Sequence, residues 1–181
     1  MEDGIKTAEY EYYMGIALDK ADLALLSGEF PVGCVVVLDN RVVGEGSRLG
    51  TSMDKKKFSE VDHAEIICLK NIEKDNSIGD LSSAILFCTM EPCLMCFGAI
   101  ILSGIKKIVY AYEDPMGGAT SCDLNQLPLL YKNSGIKVVS GVMRENSLNL
   151  FYKFFQNQSN QYWKGSLLET YTMEQAGLLK E

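Results

Sequence analysis

One imidazole, two thiols and one carboxylate stand out by type and spacing: His63-Ala64-Glu65, then Pro92-Cys93-Leu94-Met95-Cys96. A structural zinc site usually closes its tetrahedron with four protein ligands, whereas a catalytic one supplies three and leaves the fourth corner to water. His63 is the only histidine in the 181 residues, so no second imidazole ligand exists. His63, Cys93 and Cys96 therefore read as an open Zn2+ site, with Glu65 beside it as a proton carrier. Zinc lowers the pKa of water toward roughly 7. A carboxylate at Glu65 would take that water's proton, give it to a ring nitrogen and later protonate a leaving amine.

These residues must be brought together by the elements that carry them. Both clusters fall where a loop or strand runs into a helix, and a helix N-terminus offers free N–H groups and partial positive charge. That field favours the thiolate, the form zinc needs. In Cys93-x-x-Cys96 the two sulfurs lie one turn apart on one helix face, and His63 must reach the same ion from a second helix start. Pro92 favours a helix beginning at about Cys93 and running to Leu102, with Ser103-Gly104 as the stop.

Around them, Tyr10, Tyr13, Met14, Ala17, Leu18, Ala21, Ala24 and Leu25 repeat at helical spacing, which predicts a helix from about Thr7 to Ser27. Gly33 to Leu38 is a continuous apolar run of strand length. Asp39-Asn40 turns it back into Arg41 to Gly46 as a hairpin. Further strands are predicted over Ser83–Thr89, Lys107–Tyr112 and Ile136–Val139. Helices are predicted from about His63, over Leu127–Lys132 and from about Glu145. Strands alternating with helices predict an α/β layered sheet.

Length predicts a single domain, 1–181, with enough chain for a sizeable core. Hydrophobic residues are 47% and charged residues 23%, ordinary for a soluble protein. No apolar run reaches the roughly 18 residues of a membrane span, and the acidic start Met1-Glu2-Asp3-Gly4 is no secretory signal. The six cysteines then read as reduced or metal-bound thiols of a cytoplasmic protein. Cys34, Cys68 and Cys88 sit in apolar stretches and read as core thiols. Cys122 reads as a plain free thiol near the Gly117-Gly118 loop. A net charge of −7 weighs against a large nucleic-acid ligand, because phosphate binding rests on basic surface. Lys55-Lys56-Lys57 reads as a solvated loop.

The pairing of His63-Ala64-Glu65 with Pro92-Cys93-Leu94-Met95-Cys96 resembles the zinc-dependent cytidine-deaminase-like superfamily, whose H-x-E…P-C-x-x-C signature it matches. Phe30 to Val37, Gly44-Glu45-Gly46, Thr89 to Cys93 and Ser103 to Tyr110 resemble most the bacterial tRNA adenosine deaminase branch, over roughly residues 8 to 155. The resemblance implies a three-layer α/β/α fold with a central five-stranded mixed sheet. It implies that His63, Cys93 and Cys96 hold zinc and that Glu65 shuttles protons. It also implies that the Ala64 backbone seats the base, that Val32 packs on its ring and that Asp114 lies near the nucleic acid. Relatives of this kind are usually dimers, so a homodimer is expected.

Two features depart from that pattern. Such relatives commonly carry Asn after the second strand, whereas Arg48 stands there in this chain. Arg is a donor only and always charged, so it suits a carbonyl-rich or anionic substrate better than an adenine edge. Residues from about 156 to 181, including Tyr162-Trp163 and Leu167-Leu168, form a C-terminal helical extension without a counterpart, suited to dimer contacts or the pocket rim. Phe151, Tyr152, Phe154 and Phe155 read as core, with one of them a candidate cap on the substrate ring. The function read from all this is deamination of a nucleobase amine, with a tRNA anticodon loop as substrate. The alternative is a free base or nucleoside of cytosine, guanine or adenine type. Outside that class stand a non-catalytic zinc-stabilised RNA-binding subunit, and a thiol redox protein using Cys93 and Cys96.

Overall fold

The computed structural model describes residues 2–52, 58–75 and 77–178, with side chains from Thr7 to Gly177 outside the two internal gaps. Lys55-Lys56-Lys57 therefore lies outside the described residues. Helix α1 (Glu2–Leu26) leads to β1 (Gly33–Leu38) and β2 (Arg41–Ser47). They are followed by α2 (Ala64–Glu73), β3 (Ile85–Met90), α3 (Leu94–Leu102) and β4 (Lys107–Tyr112). The chain continues through α4 (Leu129–Lys132), β5 (Lys137–Val139), α5 (Arg144–Gln156) and α6 (Leu167–Leu178). The strands form one mixed sheet in the order β2-β1-β3-β4-β5. β1 is antiparallel to β2 and β3, whereas β3, β4 and β5 run parallel.

The hairpin turns where expected. Asp39 and Asn40 both have positive φ, the geometry a tight two-residue β-turn needs and that Asp and Asn tolerate. Central strand β1 is buried on both faces. Val35 and Val37 join Phe87, Val109 and Ala111 under Met14 and Ala17 of α1. Cys34 and Val36 join Leu86, Cys88 and Ile108 under Cys68 of α2 and Ile100 of α3. The helix layers thus lie on opposite faces of the sheet.

Close approach is achieved by glycine. A Cβ on Gly33 would lie 2.1 Å from the Ala17 carbonyl oxygen, and one on Gly46 would lie 2.1 Å from that of Ala64. Only a residue without a side chain lets α1 and α2 sit this low on the sheet. The C-terminal helix expected from about Glu145 begins at Arg144 and stops at Gln156. A turn region then leads to α6, which packs back on α5. Phe151, Phe154 and Phe155 are buried and ring Phe30. They are core residues, and none lines the cavity described next.

Candidate active site

The first turns of α2 and α3 converge beyond the sheet. His63 is the N-cap of α2 and Cys93 the N-cap of α3, so neither helix begins on its ligand candidate as the spacing suggested; each begins one residue later. The cap position leaves the side chain outside the helix and free to point at its partner. His63 Nδ1 lies 3.6 Å from Cys93 Sγ and 3.4 Å from Cys96 Sγ. With Zn–S of about 2.3 Å and Zn–N of about 2.0 Å, a tetrahedral ion would hold imidazole nitrogen and sulfur roughly 3.5 Å apart. The three donor atoms lie within 4.8 Å of one another. The set is thus positioned to hold a metal ion, and its chemistry, two soft sulfurs and one imidazole, suits zinc.

Electrostatics agree. The Cys93 thiol is pushed down to about 4, chiefly by its hydrogen bond with Cys96 and, against the cost of burial, by His63. The Cys96 thiol is pushed up by that same pairing and by burial, and a bound cation would favour the thiolate at both sulfurs. Burial lowers the His63 pKa, but Cys93 and the Glu65 charge outweigh it, and the net shift is upward. Arg48 opposes that rise. Glu65 is only 3% exposed. Burial raises its carboxyl above the ordinary range, against the pull of His63, which is the direction a general acid-base needs to work near neutrality.

A cavity of about 220 Å³ opens over this cluster. His63, Glu65 and Cys93 line it, and so do Val32, Arg48, Ala64 and Asp114. Of the residues expected to hold metal, carry protons or contact substrate by motif, only Cys96 does not border this cavity, being buried behind it, and none of Phe151, Tyr152, Phe154 and Phe155, from which a ring cap was expected, lines it. Cys122 is exposed and does not line it. Cys34, Cys68 and Cys88 are buried beneath it in the core.

Of the two roles expected for Tyr162 and Trp163, dimer contacts or the pocket rim, the structure places both residues at the cavity; Phe30 and Leu168 carried no expectation as wall residues. Phe30, Tyr162, Trp163 and Leu168 complete the cavity, three of them from the segment after Gln156. Two acidic clamps also escaped notice. Glu29 Oε2 accepts from Thr51 N at 2.6 Å, Thr51 Oγ1 at 2.7 Å and Ser52 N at 2.8 Å. Thr51 Oγ1 in turn accepts from Phe30 N at 2.8 Å. Arg48 N donates to Val32 O at 2.9 Å. These bonds tie the chain after β2 to the approach to β1, which sets Phe30, Val32 and Arg48 side by side. Glu91 accepts from Asp114 N at 3.2 Å, Thr120 N at 3.1 Å and Thr120 Oγ1 at 2.5 Å, and so fixes the loop that carries Asp114. Glycine at 118 lets the loop close this tightly, since a Cβ there would lie 2.7 Å from the Asp114 backbone oxygen as well as against the Glu91 carboxylate. Isolated acidic residues carry no periodic or spacing signal, which is why only the structure exposes these clamps.

The C-terminal segment is anchored by a polar network. Glu113 pairs with Arg144 and accepts from Tyr171 Oη at 2.7 Å. Arg144 Nη2 donates to Gln175 at 2.8 Å, and Tyr112 Oη lies 3.1 Å from Thr172 Oγ1.

Comparison with known proteins agrees with this geometry. The family model for the cytidine and deoxycytidylate deaminase zinc-binding region matches residues 7–112. A tRNA-specific adenosine deaminase of Bacillus subtilis is 32% identical over 146 residues, 81% of this chain and 88% of that protein. One from Haemophilus influenzae is 36% identical over 152 residues, 83% of this chain and 86% of that protein. A solved structure from a study of A-to-I editing by tRNA:A34 deaminases superposes with a TM-score of 0.60 at 32% identity, covering 72% of this chain and 97% of that one. With a zinc-compatible donor set, a buried carboxylate beside it and this extent of likeness, the chain belongs to the cytidine and deoxycytidylate deaminase zinc-binding family.

Proposed function

We propose that this chain is a hydrolytic deaminase that replaces the exocyclic amine of a nucleobase with a carbonyl oxygen, and that its substrate is adenosine in a tRNA anticodon loop. The observation that carries the reading is a buried carboxylate, Glu65, facing the same cavity as His63 and Cys93. Zinc held by His63, Cys93 and Cys96 would supply the Lewis acidity that makes water a nucleophile at neutral pH. Glu65 removes a proton from the attacking water, passes it to the ring nitrogen beside the reacting carbon, and delivers the second to the amine, which leaves as ammonia. Its raised pKa suits both halves of that cycle. Val32 and the aromatic wall pack the ring, the Ala64 backbone seats it, and Asp114 borders the approach. The tRNA assignment leans on relatives that bear that name across more than four-fifths of their length.

The buried Arg48 and the net charge of −7 favour a second reading, a free nucleobase or nucleoside. One domain spanning 1–181, a homodimer and a cytoplasmic location go with either; no helix among the described residues is long and apolar enough to cross a membrane. Glu65→Gln tests the chemistry. It should keep its zinc and lose at least about a hundredfold in ammonia release, and near-normal turnover would refute the role. An anticodon stem-loop assayed beside free bases and nucleosides separates the substrates. Inosine formed only in the stem-loop supports tRNA, and efficient turnover of a free compound supports the second reading.

A further inference from the structure

Tyr162 and Trp163 stand as a partition. On one side they line the cavity over the metal cluster, and on the other they line an outer hollow of about 300 Å³, with Thr51, Phe58, Glu60 and Gln161. The pair belongs to the segment 157–166, which makes turns between the end of α5 and the start of α6. Both flanks are fixed: Phe154 and Phe155 are buried in the core, and Tyr171 and Thr172 bond to Glu113 and Tyr112. The segment itself is held more lightly. Among the described residues, its polar ties to the chain before α5 all pass through one atom, the Tyr162 hydroxyl, which accepts from Arg48 Nη2 at 3.3 Å and donates to Glu60 Oε2 at 3.1 Å. Its other hydrogen bonds stay within the segment or run to α5 and α6. The backbone is strained at the same place. Trp163 has φ 57°, and a bulky side chain persists in that left-handed region only where its surroundings impose it. Gly165, two residues on, has φ 74° at no such cost. The rings of Phe30 and Trp163 pack edge-on against Tyr162. Across the partition, the hollow offers room and an apolar face, since Phe58 is 66% exposed there.

We propose that Tyr162 and Trp163 form a gate on the cavity, latched by the Tyr162 hydroxyl between Arg48 and Glu60. When the latch breaks, Trp163 relaxes out of the left-handed region, the chain turns about Gly165, and the pair swings into the outer hollow against Phe58. Cavity and hollow then become one opening, through which substrate enters and product leaves. Reclosure shields the reacting centre from bulk water. The inference rests on the deaminase reading only for the identity of what passes the gate.

Trp163 is the only tryptophan in the chain, so intrinsic emission reports on the gate directly. Two variants of the zinc-loaded full chain weaken the latch: Tyr162→Phe, which keeps the ring, and Glu60→Ala, at an exposed position. Without any ligand, acrylamide quenching of the Trp163 emission should rise about twofold or more in both, with the Tm held to within about 4 °C. Stopped-flow binding in a Glu65→Gln background, with adenosine and with an anticodon stem-loop as probes, then separates a gate from a lost contact. Loss of an ordinary contact acts mainly on the dissociation rate. An unlatched gate raises the association and dissociation rate constants together, each by about fivefold or more, and leaves Kd within about threefold. Quenching unchanged in both variants, quenching that rises only alongside a larger loss of Tm, or acceleration of dissociation alone overturns the proposal. If neither probe binds, the deaminase reading fails, and the ligand-free quenching still decides the gate.

Discussion

Gly46→Ala should damage the site from behind. The added Cβ would lie 2.1 Å from the Ala64 carbonyl oxygen and 2.7 Å from the Cys68 nitrogen. Ordinary contact needs about 3.5 Å, so α2 would have to lift by roughly 1 Å. Both obstructing atoms belong to helix backbone, which cannot rotate aside as a side chain could. Overpacking usually costs about 1–3 kcal/mol, and the rigid neighbours put this case at the upper end. For a chain of this size that corresponds to a fall in Tm of about 6–12 °C. Ala64 sits between His63 and Glu65, so the lift moves both. Sites of this kind tolerate displacements of only about 0.5 Å, against sulfur–nitrogen separations of 3.4 and 3.6 Å. Zinc affinity should therefore fall by about tenfold or more. Differential scanning calorimetry and competitive chelator titration read the two effects. Gly15→Ala is the control: it lies within α1, and nothing stands within 4 Å of its Cβ. That substitution should gain about 0.4–1 kcal/mol. A Gly46→Ala protein with unchanged Tm and zinc affinity would refute the reasoning.

Leu168 is 1% exposed at the start of α6 and lines the cavity; Leu168→Ala should cost about 2–5 kcal/mol in urea unfolding and loosen the aromatic wall. Burial pushes the Glu113 carboxyl up, but Arg144 and Tyr171 outweigh it and hold it below its usual value. Its contribution is thus complete above the unfolded value of about 4.3 and is lost as pH falls through the lowered folded value. Limited proteolysis with an acid-active protease should accordingly find the segment after Gln156 protected at pH 5 and cleaved increasingly as the pH drops below about 4. Glu113→Gln should be cleaved faster than wild type at pH 5, and equal rates would contradict the anchoring role.

The metal cluster and its carboxylate were legible because ligand chemistry demands particular residue types at short, fixed spacings. The hairpin was legible because Asp39-Asn40 is a turn with a mechanism. Helix starts were misjudged by one residue at His63 and Cys93, since a cap and a first helical residue look alike in sequence. The aromatic wall was legible only in part: Tyr162 and Trp163 stood open between dimer contacts and the pocket rim, and nothing local marked Phe30 as their neighbour. Phe151, Phe154 and Phe155 have the periodic pattern of a helix face, and they pack in the core. Tyr162 and Trp163 have no period, and they reach the cavity only because α6 folds back on a polar network spread over Tyr112, Glu113, Arg144, Tyr171 and Thr172. Contacts that distant in sequence leave no local pattern. Arg48 was visible as a departure at a strand end, while its burial depends on Tyr162, 114 residues away.

The central claim is a three-donor metal centre with one position left for water. Zinc K-edge absorption spectroscopy on the purified protein tests it most directly. One zinc per chain, with two sulfurs at about 2.3 Å and two light atoms at about 2.0 Å, is the predicted result. A third sulfur in the shell, or a protein that binds no zinc, would contradict it.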